Sequence, residues 1–316
     1  MPTPRLLALS LLPLAIATPA PAATVTLLQA GDAATVQDAV DQFRALLGPL
    51  NANVPGSFGG GRREINWDAV PDSFSSPNAF PGDFFNFTAA PRARGARFAV
   101  DGGHFEVSAK AGNPTATPIE LGNINPNYVE DFAAFTPQRI FGTVGSTEYT
   151  LTFFVPGTVT VPAGVTGVGI VFCDADLSEV TGITAYDQDD QVIGHAFAPP
   201  APGSGLFSFV GIASTDEVRI AKVVVTTGNL PLAPRNDDSP AGADVVALDD
   251  VLFGEPISLA CPADLNGDGD IGAPDLAILL GAWGPVGPHP ADFNGDGTVG
   301  AWDLAWLLGL WGPCAG

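Results

Sequence analysis

The sequence predicts a mainly β chain, an antiparallel β-sandwich followed by a small α-helical domain built on a duplicated acidic loop. Three observations lead there. From Glu148 onward, short runs rich in Val, Ile, Thr and Phe recur between Gly, Pro, Asp and Asn, with no helical run between them. The 38 glycines and 30 prolines favour many short elements joined by turns. The C-terminal end carries one loop-then-helix pattern twice at a fixed period.

In chain order, residues 1–23 predict an export signal. Arg5 supplies its positive charge, Leu6–Ile16 its apolar stretch, and Ala20-Pro21-Ala22 a cleavage site. The expected location is secreted or cell-surface, with no membrane-spanning segment left after cleavage. Val36, Val40, Phe43 and Leu47 recur at helical spacing and predict a helix over Ala34–Leu47, ended by Gly48-Pro49. The next hundred residues have poor periodicity and predict long ordered loops with short strands. Strands are then expected at Tyr149–Val155, Gly167–Cys173, Gly182–Tyr186, Val192–Phe197, Leu206–Ile212, Val218–Thr226 and Val245–Phe253. Antiparallel pairing follows, because parallel strands need crossovers that the sequence lacks. The sandwich spans 24–257 and the second domain 261–316.

Acids outnumber bases 34 to 12, a net charge of −22, which excludes nucleic acid as a partner and suits calcium. Of the three cysteines, Cys261 and Cys314 bracket the second domain. They pair as a disulfide in an oxidising compartment or remain free thiols like Cys173, which sits alone in an apolar strand.

The second domain holds the strongest signal. Asp264-Leu265-Asn266-Gly267-Asp268-Gly269 recurs as Asp292-Phe293-Asn294-Gly295-Asp296-Gly297. Each copy reads as an EF-hand-like loop. Asp264 and Asp292 stand at position 1, Asn266 and Asn294 at 3, Asp268 and Asp296 at 5, and Asp270 and Thr298 at 7. Asp275 and Asp303 close the loop at position 12. Oxygen ligands at alternate positions of a turning loop suit a hard cation, so two calcium ions are expected. Ile271 and Val299, at position 8, are expected to pair the two loops. Leu276, Leu279, Leu280 and Trp283, repeated as Leu304, Leu307, Leu308 and Trp311, predict two helices that bury each other with the tryptophans in the core.

This arrangement resembles the dockerin type I module of secreted bacterial polysaccharide-degrading proteins. Its flanking cysteine and final Trp-Gly-Pro-Cys are similar to the GC-type dockerin tails of planctomycete-like bacteria. The resemblance covers 261–316 and implies noncovalent attachment to a cohesin-like protein or a cell-surface component. Two features depart from the family. Positions 10 and 11 are Ala273-Pro274 and Ala301-Trp302, where dockerins often contact cohesin through small hydroxyl residues. The second repeat opens with His289, where a cysteine is expected, which leaves Cys261 with Cys314 as its mate; His289 itself reads as a solvated turn residue.

Residues 24–257 resemble uncharacterised secreted bacterial β-sandwich proteins through Gly60-Gly61-Arg62-Arg63-Glu64-Ile65-Asn66-Trp67-Asp68, Pro77-Asn78-Ala79-Phe80-Pro81, Phe172-Cys173-Asp174-Ala175-Asp176 and Asp249-Asp250-Val251. That resemblance implies a jelly-roll-like fold and no mechanism. Hydrolase parts are sparse: His104 and His195 lie on separate segments, and nucleophile elbows, zinc-protease helices and phosphate loops are missing. Glu64 with Asp68, or Glu106, are the carboxylates available for acid-base work. Asp174, Asp176, Asp249 and Asp250 are either exposed turn carboxylates or ligands of a third calcium between the sheets. Arg62, Arg63 and Trp67 form either a sugar- or anion-binding surface or a buried Arg–Asp network beneath a loop. The expected function is a non-catalytic, calcium-binding, secreted protein whose sandwich serves binding or matrix roles, with carbohydrate as one candidate ligand. The alternative is an accessory or catalytic component of polysaccharide degradation.

Overall fold

The computed structural model describes residues 23–215, 219–235, 241–259, 261–266, 270–286, 289–294 and 296–313. The expected leader, Asp268, Cys314 and Val218 at the start of an expected strand lie outside the described residues. Among the described residues no helix is long and apolar enough to cross a membrane.

The first domain is mainly β. Its elements are β1 (Thr24–Gly31), α1 (Ala33–Leu47), β2 (Arg62–Ile65), β3 (Ala96–Ala99), β4 (His104–Val107), α2 (Tyr128–Asp131), β5 (Phe141–Val144) and β6 (Glu148–Phe154). Then follow β7 (Pro162–Gly164), β8 (Gly167–Cys173), β9 (Gly182–Tyr186), β10 (Val192–Phe197), β11 (Phe207–Ser214), β12 (Lys222–Thr226), β13 (Ala247–Gly254) and β14 (Ile257–Ser258). One sheet runs β1-β11-β8-β13-β5-β4, with β2 also on β13. The other runs β10-β9-β12-β6-β7-β14, with β3 also on β6. The named strand pairs are antiparallel. Ile170, Phe172, Ile212 and Phe253 of the first sheet share one core with Leu151, Phe153, Ile183 and Val223 of the second, as a β-sandwich requires.

The two sheets differ on their outer faces. β6 and β12 alternate buried and part-exposed positions, the signature of one solvated face. β8 and β13 are buried throughout, because a second core covers that face of the first sheet. It joins Val36, Val40 and Phe43 of α1 and Tyr128 and Phe132 around α2 to Val171, Phe209 and Leu252. α1 begins where Asp32 accepts the Thr35 N–H at 2.8 Å and ends at Gly48, whose φ of 93° suits glycine. Phe43 lies on a floor of two glycines paired across strands, Gly169 and Gly211. A Cβ there would stand 2.8 Å and 2.7 Å from its ring.

β13 slips register between Leu248 and Val251, so two adjacent residues, Asp249 and Asp250, occupy the irregularity. Trp67, held at φ 63°, donates its indole N–H to the Asp249 carbonyl at 2.6 Å and stacks on Phe141 with centroids 4.1 Å apart.

The second domain contains β15 (Asp270–Ile271), α3 (Ala273–Gly281), β16 (Gly284–Pro285), β17 (Thr298–Val299), α4 (Ala301–Gly309) and β18 (Gly312–Pro313). The expected pairing of Ile271 with Val299 is overturned. Ile271 pairs with Gly312, and Val299 pairs with Gly284. Each acidic loop is bridged to the Gly-Pro that follows the other copy's helix. Gly284 (φ 115°) and Gly312 (φ 126°) take a backbone that side-chain-bearing residues avoid, which accounts for the repeated Trp-Gly-Pro.

Candidate metal centre and docking face

The second loop is described except for Gly295. Asp292 is buried, and its Oδ2 accepts the Gly297 N–H at 2.8 Å. The Asp296 N–H donates to Asn294 Oδ1 at 3.1 Å, and the Thr298 N–H to Asp296 Oδ1 at 2.9 Å. These side-chain-to-backbone bonds wind the loop as Asx turns do. Asp303 ties the loop ends together, its Oδ1 accepting from Phe293 N–H at 2.8 Å and its Oδ2 from Gly300 N–H at 2.7 Å.

The first loop repeats this closure. Asp275 Oδ1 accepts the Leu265 and Asn266 N–H groups at 2.7 Å and 3.1 Å, and its Oδ2 the Gly272 N–H at 2.7 Å. The two openings also match: Asp264 N–H donates to Cys261 O and Asp292 N–H to His289 O, both at 2.9 Å. Asp264, Asp275 and Asp303 are buried to within 1%, while Asp270 is exposed.

Buried carboxylates are costly unless a cation or donors compensate them. Asp292 Oδ1 is buried with no hydrogen-bond partner. The loop side chains offer oxygen and carry neither thiol nor imidazole, the donor set of a hard cation. The residues present therefore fit calcium. Asp264, Asn266 and Asp275 with Asp268 would hold one ion, and Asp292, Asn294, Asp296 and Asp303 the other. Asp270 and Thr298 would offer backbone carbonyls. Bound calcium supplies positive charge that lets these carboxylates sit together. Among the described residues no three His, Cys, Asp or Glu side chains already converge on one point.

Cys261 is disulfide-bonded, and Cys173 is free and buried. The small core of the module is built from matching residues: Ala263 and Ala291, Ile271 and Val299, Leu279 and Leu307. The tryptophans do not join it. Trp283 is 47% exposed and Trp311 49%, and Leu280 and Leu308 are exposed beside them in sequence. α3 and α4 bury only one leucine each, besides the closing aspartate, so the expectation of mutually burying stripes is corrected. Trp302, at position 11 of the second loop, is exposed as well and stacks near Trp306 with centroids 6.4 Å apart. His289 is half-buried, not solvated, and its Nδ1 accepts the Ala291 N–H at 3.1 Å.

In the sandwich, Arg63 and Trp67 are buried and form no sugar-binding surface. Arg63 pairs with Glu255 at 2.7 Å and donates to the carbonyls of Val54, Gly56 and Ala93. Glu64 accepts from Arg44 at 2.9 Å and Arg62 at 2.7 Å. Burial opposes ionisation of its carboxyl, but these arginines bring it below the ordinary value. Asp68 is raised by burial, although it accepts the Gln138 and Arg139 N–H groups. Glu106 accepts from Ser76 at 3.0 Å and Asn123 at 3.1 Å. His104 lies on β4 in the first sheet. His195 lies on β10 in the second, 2.9 Å from Thr184 Oγ1. These groups are distributed across separate structural networks.

Asp249 and Asp250 are buried, not exposed turn residues. Asp249 Oδ2 accepts the Thr136 N–H at 3.0 Å, and Asp250 Oδ1 accepts the Thr136 hydroxyl at 2.8 Å. Asp176 accepts the Gly203 N–H at 2.9 Å. Together with Asp174 these carboxylates form no metal cage among the described residues. Burial raises Asp249 well above the carboxylate range, helped by Asp250, and pushes Asp250 up to about 6.

No family model and no curated protein matches the chain.

Proposed function

We propose that the protein is secreted and that its C-terminal module, folded around two calcium ions in the manner of a dockerin, attaches a non-catalytic β-sandwich to a protein partner. The observation that carries this reading is the repeated exposure of the same residues in both copies. Leu280 and Trp283 of the first copy and Leu308 and Trp311 of the second are exposed, while Leu279 and Leu307 are buried. Large apolar side chains held outward, a leucine on each short helix and a tryptophan just after its end, suit a protein interface, where tryptophan supplies much of the binding energy. A cohesin-like domain at the cell surface is the partner that this architecture fits. Trp302 adds an aromatic contact at a position where dockerins often use a hydroxyl residue.

The non-catalytic reading of the sandwich rests on its carboxylates. Glu64 is engaged by two arginines, Asp68 by backbone amides and Glu106 by Ser76 and Asn123.

The test is capture of cohesin-like domains by the full chain, with calcium and with EDTA. Capture should require calcium and should fall in Trp283→Ala and Trp311→Ala, both of which leave calcium uptake intact. Capture that survives EDTA unchanged, or that ignores both tryptophans, would falsify this reading. Reducing-sugar release from a polysaccharide panel would overturn the non-catalytic assignment.

A further inference from the structure

We infer that a cavity in the sandwich, walled by Trp67, Phe84 and Phe85 and lined by Arg92 and Arg94, binds a small carboxylate carried on an apolar six-membered ring. The cavity measures about 150 Å³. Apolar cavities of that size hold one benzene-sized ring, and aromatic walls suit a flat one.

The arginines supply the second half of the recognition. Arg94 is 8% exposed. It donates to the carbonyls of Glu64 at 2.7 Å and Pro91 at 3.4 Å and lies 4.5 Å from the Phe85 ring centre. Five N–H groups fan out from a guanidinium, so these two bonds leave donors for another acceptor. Arg92 donates to the Phe84 carbonyl at 2.9 Å, with its guanidinium 4.0 Å from the Phe84 ring centre and 4.2 Å from that of Phe87.

Among the described residues neither arginine has a carboxylate within ion-pair distance, a condition shared with Arg97, Arg219 and Arg235, whereas Arg44, Arg62, Arg63 and Arg139 are paired; Asp83 acts on Arg92 only from beyond that distance. This is in a chain whose acids outnumber its bases 34 to 12. Burial, with Arg63 nearby, lowers Arg94 to about 10. A ligand carboxylate supplies a counter-charge in bidentate form. An inorganic anion leaves the aromatic walls unused, and a neutral ring leaves the arginines unanswered.

The test uses the full chain with calcium present and sodium benzoate as the probe, followed by calorimetry and saturation-transfer NMR. Benzoate should bind with a dissociation constant on the order of 1 mM or tighter. Arg94→Gln should weaken it about tenfold or more, the effect of losing a charge-assisted pair. Should Arg94→Gln fail to fold, Arg92→Gln, whose side chain is less buried, should weaken it several-fold. Benzyl alcohol should bind far less well than benzoate. Absence of benzoate binding up to about 10 mM, equal affinity for benzyl alcohol, or full affinity in a folded arginine variant would each overturn the inference.

Discussion

Ser57 donates its backbone N–H to the carbonyl of Asn266, 3.0 Å away, and so joins a sandwich loop to position 3 of the first acidic loop. The sandwich loop is held firmly. The Ser57 hydroxyl donates to the Pro256 carbonyl, Arg63 reaches Gly56 O at 3.0 Å, and Glu255 accepts the Phe58 N–H at 3.3 Å. An ion that organises the first loop therefore fixes an acceptor for the sandwich. The Ser57 amide should exchange hydrogen slowly in calcium and markedly faster in EDTA. A chain ending at Leu259 should keep a strand-dominated circular dichroism spectrum and lose that protection. Equal exchange with and without calcium would contradict the coupling, and an unfolded truncated chain would contradict the independence of the sandwich.

Calcium uptake should be two ions per chain and should add helix, because metal binding to a domain with so small a core is largely folding free energy. Asp275→Ala or Asp303→Ala should abolish one site each. Each also removes the acceptor of two or three loop amides, a further loss of about 1 kcal/mol or more. Asp270→Ala should change affinity little, since its side chain is exposed and position 7 contributes a carbonyl. Calorimetry on the four proteins separates these outcomes, and an undiminished stoichiometry in Asp303→Ala would sink the assignment of position 12.

The Asp249–Asp250 pair gives the sandwich a pH signature. Asp250 is raised by burial to about 6 and Asp249 well above its ordinary range. A carboxyl whose folded pKa lies above its unfolded pKa binds more protons when folded. Its contribution is complete below about pH 4 and is lost as pH rises through 6. For Asp250 the loss is on the order of 3 kcal/mol. Asp250→Asn should flatten the fall in stability between about pH 4 and pH 6. Urea unfolding in EDTA measures this, comparing the two proteins at each pH so that the remaining carboxylates cancel. Parallel pH profiles for both would show that Asp250 does not titrate in this window.

Phe43 reports on the seal between α1 and the first sheet. Gly211→Ala places a methyl 2.7 Å from its ring, and overpacking of that kind costs about 1–3 kcal/mol. The urea midpoint should fall at unchanged slope. A variant as stable as the parent would mean that α1 shifts freely on the sheet.

Elements whose signal is local can be read from the residues alone. α1 follows from Val36, Val40, Phe43 and Leu47, and β8, β9 and β10 begin and end where Gly, Asp and Pro interrupt apolar runs. The acidic loops were legible for the same reason, since each closing aspartate stands in the same short stretch as the amides it accepts. Tertiary structure decided whatever depends on distant partners. β1 reads as mixed in polarity and is a strand because β11, far along the chain, pairs with it. Arg63 is a buried ion-pair partner because β13, from the end of the domain, pairs with β2 and delivers Glu255 just past its last residue. Arg92 and Arg94 come together beside Trp67, Phe84 and Phe85 only because the fold brings residues 66–71, 84–85 and 91–94 to one cavity. Trp283 and Trp311 have the spacing of core residues, yet they stay outside. The position 8 residues pair with the Gly-Pro of the opposite copy, and the small core buries one leucine per helix, half-covers Leu276 and Leu304, and leaves Leu280, Trp283, Leu308 and Trp311 exposed. Helical periodicity fixes which side chains share a face, and only the packing of the second copy against the first decides whether that face is buried.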